Sequence, residues 1–249
     1  MKKKLITIIC IVLSAVLLVV GSIAGTMAYL RATAEVVNTF TYGKVVISMD
    51  ETLIGPDGLT VADSDQRVTG NRYKLMPNTT YTKDPVIHIG SESEDMYLFI
   101  KVDNGIAGLA LTEEEKTDEK KTIHDQLLEN GWKVYTNSEG VTYQTVSNTD
   151  TNSGVVIKST STVYYLSTGA AADATAPMIV DGASGDITTF SKFTTGTTPV
   201  TEASMTAYVN NNAKIGILAY AVQTSGFADI HAAANVFMSE FASAIPSNS

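Results

Sequence analysis

Short segments whose residues alternate between two faces recur along the chain, and nothing in it has the strand–helix–strand rhythm of a parallel sheet. Val45 and Ile47 alternate with Val46 and Ser48. Further strands are predicted at 85–90, 95–104, 132–136, 141–146, 155–168, 186–196, 203–209 and 213–223. In the second of these, Leu98, Ile100 and Val102 make an aliphatic core face; Tyr97, Phe99 and Lys101 make an opposite face expected to be partly covered. The stretch 213–223 has few polar interruptions, which predicts a central strand covered on both sides. Residues 51–71, with Gly55-Pro56-Asp57-Gly58, read as a polar loop. Many strands in one body predict a mainly β chain folded as a two-sheet antiparallel sandwich closed by one or two peripheral helices.

Two segments carry helical signals. Thr112-Glu113-Glu114-Glu115 has capping-box spacing, and Ile123, Leu127 and Leu128 form a narrow stripe, so a solvent-faced helical insert is expected near 112–130. Phe227, Ile230, Ala234, Phe237 and Phe241 recur at helical spacing, which predicts a C-terminal helix near 227–241 lying on the sheet.

Charge is split along the chain. Of 17 basic residues, Lys2, Lys3 and Lys4 precede a run of 26 uncharged residues, 5–30. Basic start, apolar run and the small exit residues Thr26 and Ala28 read as a secretory signal peptide, residues 1–28, cut after Ala28. A retained anchor is the alternative, since the run is long enough to span a bilayer; either way the body, 29–249, faces outward. No second apolar run of that length follows, so a cleaved protein is expected to have no stable membrane span. The body then holds 14 basic and 26 acidic residues, a net of −12, and no cysteine, because Cys10 lies in the leader. Such a balance excludes nucleic acid as a partner. The missing thiols exclude a disulfide scaffold, a cysteine nucleophile and a thiolate metal site.

No linear motif announces catalysis or a cofactor. His88, His124 and His231 lie far apart without HExxH spacing, and read as surface or edge histidines. Whether distant histidines or acids meet as a metal site is not legible in spacing. No GxSxG elbow occurs, and Gly182-Ala183-Ser184-Gly185 lacks the lysine of a phosphate loop. Glu113, Glu114, Glu115, Asp118 and Glu119 are mixed with lysines and read as a solvated face. Asp57, Asp63 and Asp65 depart from the calcium-loop pattern and read as loop polarity, with weak calcium binding as the alternative. The sequon Asn78-Thr79-Thr80 matters only in a eukaryotic secretory context. A further possibility lies in the surface: Val36, Val37 and Phe40 make an extended apolar segment beside the cleavage point. It is either the first strand of a monomer or a strand added to a neighbour's sheet edge.

The same N-terminal residues carry a resemblance. Thr26-Met27-Ala28-Tyr29, then Asn38-Thr39-Phe40-Thr41-Tyr42-Gly43 followed by an alternating strand, then Met76-Pro77-Asn78 and Lys83-Asp84-Pro85, resemble the TasA and camelysin family, secreted substrates of the SipW-type signal peptidase in Gram-positive bacteria. Residues 96–102 and 213–223 are similar to its core and closing strands; Asn78 stands where the family has glycine. The resemblance covers 1 to about 103 well and 213–238 loosely. It implies a jelly-roll-like sandwich, export through that signal peptidase, and location in the extracellular matrix or on the cell surface. It also implies self-association into fibres by a donor strand within residues 29–41. Camelysin members are metallopeptidases, so the alternative function is a surface metallopeptidase, although this chain shows no ligand motif for it.

Overall fold

The computed structural model describes residues 45–91, 93–151, 154–166, 185–197 and 201–243. The chain divides into two units, Met1–Asn38 and Thr39–Ser249, and every described residue belongs to the second. Ala28, the expected cleavage point, and Val36, Val37 and Phe40, the candidate donor strand, lie outside the described residues.

Two antiparallel sheets face each other. The first runs β2-β1-β4-β9, made of β1 (Ile47–Ile54), β2 (Val61–Val68), β4 (Val86–Ile89) and β9 (Gly185–Thr188). The second runs β11-β5-β8-β6, made of β11 (Ile215–Gln223), β5 (Met96–Asn104), β8 (Val156–Leu166) and β6 (Trp132–Val134). β7 (Gln144–Asp150) pairs the first half of β8, next along the edge that β6 occupies. A small ladder joins β3 (Thr80–Thr82) to β10 (Lys192–Thr194). The molecule is therefore mainly β and sandwich-like, as its alternation predicts.

Between the sheets, Ile87 and Ile89 of β4 meet Leu98, Ile100 and Val102 of β5 in one apolar core. Tyr81 and Phe193 of the small ladder close it, their rings stacked at 4.6 Å. Trp132, 1% exposed, adds its ring and donates from Nε1 to the Thr188 carbonyl at 3.1 Å, which satisfies its one polar atom.

The other face of β5 is more completely covered than its pattern predicts. Tyr97 and Phe99 are buried under the C-terminal helix α3 (Ile230–Ser243), whose Phe237 stacks on Tyr220 at 5.0 Å and meets Phe99 edge-on at 4.8 Å. Lys101 on this face is 1% exposed, with its ammonium 3.2 Å from Asp103. Two apolar faces on one strand give a three-layer arrangement of sheet, sheet and helix.

Four local expectations are corrected. Residues 51–71 are not all loop: β1 continues to Ile54 and β2 pairs with it from Val61. The pattern hides β2 because, among the described residues, it is an edge strand whose interior is polar apart from Ala62. Its register shifts around Leu53, where Asn71 takes the place of a ladder partner: Oδ1 accepts from Ile54 N at 2.8 Å, and Nδ2 donates to Thr52 O at 2.8 Å. The insert at 112–130 is not one helix but a single 3₁₀ turn, Glu113–Glu115, followed by α1 (Ile123–Glu129). Each piece has its own capping box, at Thr112 and Thr122, and α1 buries Ile123, Gln126 and Leu127. Residues 203–209 form no strand; they lie in α2 (Glu202–Asn210), capped where Thr201 Oγ1 accepts from Ser204 N at 3.1 Å. Its buried residues Ser204, Ala207 and Tyr208 follow helical spacing, which outweighs the β-branched threonine and valine. Finally, β11 is not central: among the described residues it pairs on one side only, at the edge of its sheet. Its apolar run reflects cover on both faces toward its end, where Tyr220, Ala221 and Val222 are buried.

Candidate functional site

A groove of about 760 Å³ lies between β1, the segment leaving β2, and the start of β11. Its walls are apolar: Met49, Val68, Leu75, Ile106, Phe193 and Ile217. One wall carries the first residues of β11, which pairs with β5 on one side and, among the described residues, with no strand on the other.

Local sequence fixes that wall. Helix α2 ends at Asn211; Asn212 takes a left-handed φ of 53° so that its N–H reaches Val209 O at 2.9 Å, and Ala213 N reaches Tyr208 O at 3.0 Å. The reversed chain is then held by Gly105 N donating to Lys214 O at 2.8 Å. A Cβ on Gly105 would stand 2.7 Å from that oxygen, so only glycine permits the approach.

The floor is charged. Lys83 and Glu51 are 8% and 4% exposed, with Nζ 2.6 Å from Glu51 Oε2. Asn71 Nδ2 donates to the other carboxylate oxygen at 3.0 Å, and the ammonium lies 5.9 Å from the centre of the Tyr73 ring. Tyr73 donates to Thr82 O at 3.0 Å; burial, followed by the neighbouring Glu51 and Asp84 charges, pushes its hydroxyl well above the usual tyrosine range. At the rim, Arg72 and Lys214 are exposed and have no ion-pair partner among the described residues. The groove thus combines an open backbone edge, apolar walls and unpaired positive charge on a chain of net charge −9. That combination suits an extended, apolar segment carrying an acidic group.

The three histidines are not brought together. His88 on β4 lies between Asp50 and Asp186; His124 on α1 bonds the Tyr164 hydroxyl at 2.8 Å; His231 on α3 bonds the Tyr135 hydroxyl at 3.1 Å. Burial pushes both tyrosines up to about 12. Among the described residues, no three His, Cys, Asp or Glu side chains converge as metal ligands. Asp57 closes a turn: the Thr60 hydroxyl donates to it at 2.6 Å, followed by Leu59 N at 3.0 Å and Thr60 N at 3.1 Å, and these bonds hold its carboxyl below the usual range. Asp63 and Asp65 are spread along β2 instead of turning back toward Asp57. Of the acids near 113–119, Glu115 is tied to Thr112 N at 2.9 Å and to Thr197 N at 2.6 Å, a structural role. Gly182–Ser184 lie outside the described residues. No helix among the described residues is long and apolar enough to cross a membrane.

Sequence reasoning missed the groove, because its parts come from residues 49–85, 106, 193 and 209–217. The Lys83–Glu51 pair offered no signal, since a lysine and a glutamate 32 residues apart are unremarkable until strands juxtapose them. Comparison with protein-family models, curated proteins and solved structures finds no match to this chain.

Proposed function

We propose that this is an exported structural protein of the cell surface or extracellular matrix, of the TasA and camelysin type, and a fibre subunit. In this reading, a segment within residues 29–41 adds as a strand to the open edge of β11 in the next subunit. The observation that carries it is the one-sided pairing of β11 beside the apolar groove. Val36, Val37 and Phe40 supply apolar side chains for the walls, and Glu35 supplies a negative charge for Arg72 or Lys214. Asn78, which stands where the family has glycine, takes a φ of 49°, in the left-handed region that glycine enters without strain.

Electron microscopy of the protein starting at Tyr29 against a variant starting at Tyr42 tests this reading. Fibres from the first and none from the second are expected. Equal fibre formation by both removes the donor role. Chelator-sensitive proteolysis by the purified protein would replace this reading with the metallopeptidase one.

A further inference from the structure

His88 is bracketed by carboxylates on both neighbouring strands. Its Nε2 lies 2.9 Å from Asp50 Oδ1 on β1, and its Nδ1 lies 2.6 Å from Asp186 Oδ1 on β9. A carboxylate only accepts, so both contacts are hydrogen bonds only when both ring nitrogens carry protons. A neutral ring has one N–H, and its other nitrogen would present a lone pair to a negative oxygen. The geometry therefore describes an imidazolium.

The two carboxylates are not held alike. Asp50 is also bonded by the Arg67 Nε of β2, and Arg67 Nη2 donates to the Asp50 carbonyl at 3.0 Å. Arg67 Nη1 extends this network to Asp84, at 3.3 Å, just before β4. Asp186 is 69% exposed, and His88 is its partner on this face. The charged groups facing His88 are thus Asp50 from β1, Arg67 from β2, Asp84 from the segment before β4 and Asp186 from β9. A neutral ring keeps its proton toward Asp50, and Asp186 turns to solvent.

We infer that His88, Asp50 and Asp186 form a proton-dependent clasp that fastens the start of edge strand β9 to the four-stranded sheet. The far end of β9 has other ties: Thr188 O accepts from Trp132, Asn130 Nδ2 donates to Thr189 O at 2.8 Å, and Thr189 Oγ1 donates to Pro85 O at 2.7 Å. Release is accordingly confined to Gly185 and Asp186, which pair with Ile89 and His88. The hydrogen bonds to Asp50 and then Asp186 outweigh burial and raise His88 above its ordinary value. The clasp is therefore complete below about pH 6.5, the unfolded histidine value, and is lost as pH rises through the folded value. Asp50 also borders the groove, but the strand that is released, β9, lies across the first sheet from β2, and the clasp stands whether or not the protein forms fibres.

The test combines NMR titration of the His88 ring with hydrogen exchange of residues 185–188, corrected for intrinsic rates, between about pH 6 and 9. His88 is expected to titrate above an ordinary histidine, and protection of β9 to fall about two- to five-fold as it does, the range for an exposed ion pair. Asp186→Asn is expected to lower the His88 titration and flatten the pH dependence at β9, while leaving β5 protection unchanged. His88→Gln, which donates without titrating, is expected to flatten it as well. A wild-type His88 that titrates at or below the ordinary value overturns the inference. So does a pH-dependent loss at β9 that persists undiminished in either variant.

Discussion

Lys83 and Glu51 show how a residue's consequence depends on what tertiary structure places beside it. Their charged atoms are 2.6 Å apart and almost wholly withdrawn from water at the floor of the groove. Neither can be changed alone without leaving a buried charge with too few partners. Lys83→Met is expected to cost about 3–5 kcal/mol, and Lys83→Met with Glu51→Leu far less, because the second substitution removes the stranded carboxylate. Denaturant unfolding of wild type, single and double variants checks this; equal losses for single and double would show that the pair does not act as a unit. The residue types were legible and their partnership was not, since Glu51 comes from β1 and Lys83 from the segment before β4. His88 is the same case. It alternates with the buried Ile87 and Ile89 and so lies on the opposite face of β4, but the two aspartates that bracket it are 38 and 98 residues away.

At the scale of elements, pattern succeeded where one face or two were apolar and failed where neither was. β4, β5, β8 and β11 have strong alternation or long apolar runs, and each forms. β2 has neither and exists through its pairing with β1, with Asn71 supplying bonds where the register shifts. Helix α2 was hidden by β-formers on its exposed face. Helix α3 matters through packing, because it covers the aromatic face of β5 and β11. Phe237→Ala removes the ring that stacks on Tyr220 and meets Phe99, and is expected to destabilise the protein by about 3–5 kcal/mol. Hydrogen exchange should show α3 losing protection before β5 does. A loss under about 1 kcal/mol would mean that the helix covers the sheet without anchoring there.

For the whole molecule, charge is the property that acts at long range. Residues 29–249 carry a net charge of −12, so under the proposed reading copies of that form repel one another in dilute salt, and screening shortens the repulsion to about 8 Å at physiological ionic strength. Under the proposed reading, self-association of the form starting at Tyr29 is expected to rise with added sodium chloride, followed by light scattering. A fall would mean that the contact between Glu35 and the groove-rim cations outweighs general repulsion. The order of strands in each sheet also belongs to this scale, and it decides that β11 is an edge strand with a groove beside it.

The sequence by itself determined the class of architecture: alternating apolar positions demand a buried face every second residue, and many such segments without crossover helices demand antiparallel sheets packed on one another. It also set the charge and the absence of thiols in the body, which depend on composition alone. Tertiary structure decided which strand lies at the edge, which charges are buried as pairs, and which histidine stands between two carboxylates. These are contacts between residues distant in the chain. Local periodicity reports the face a residue occupies, but not the neighbour that folding places across from it.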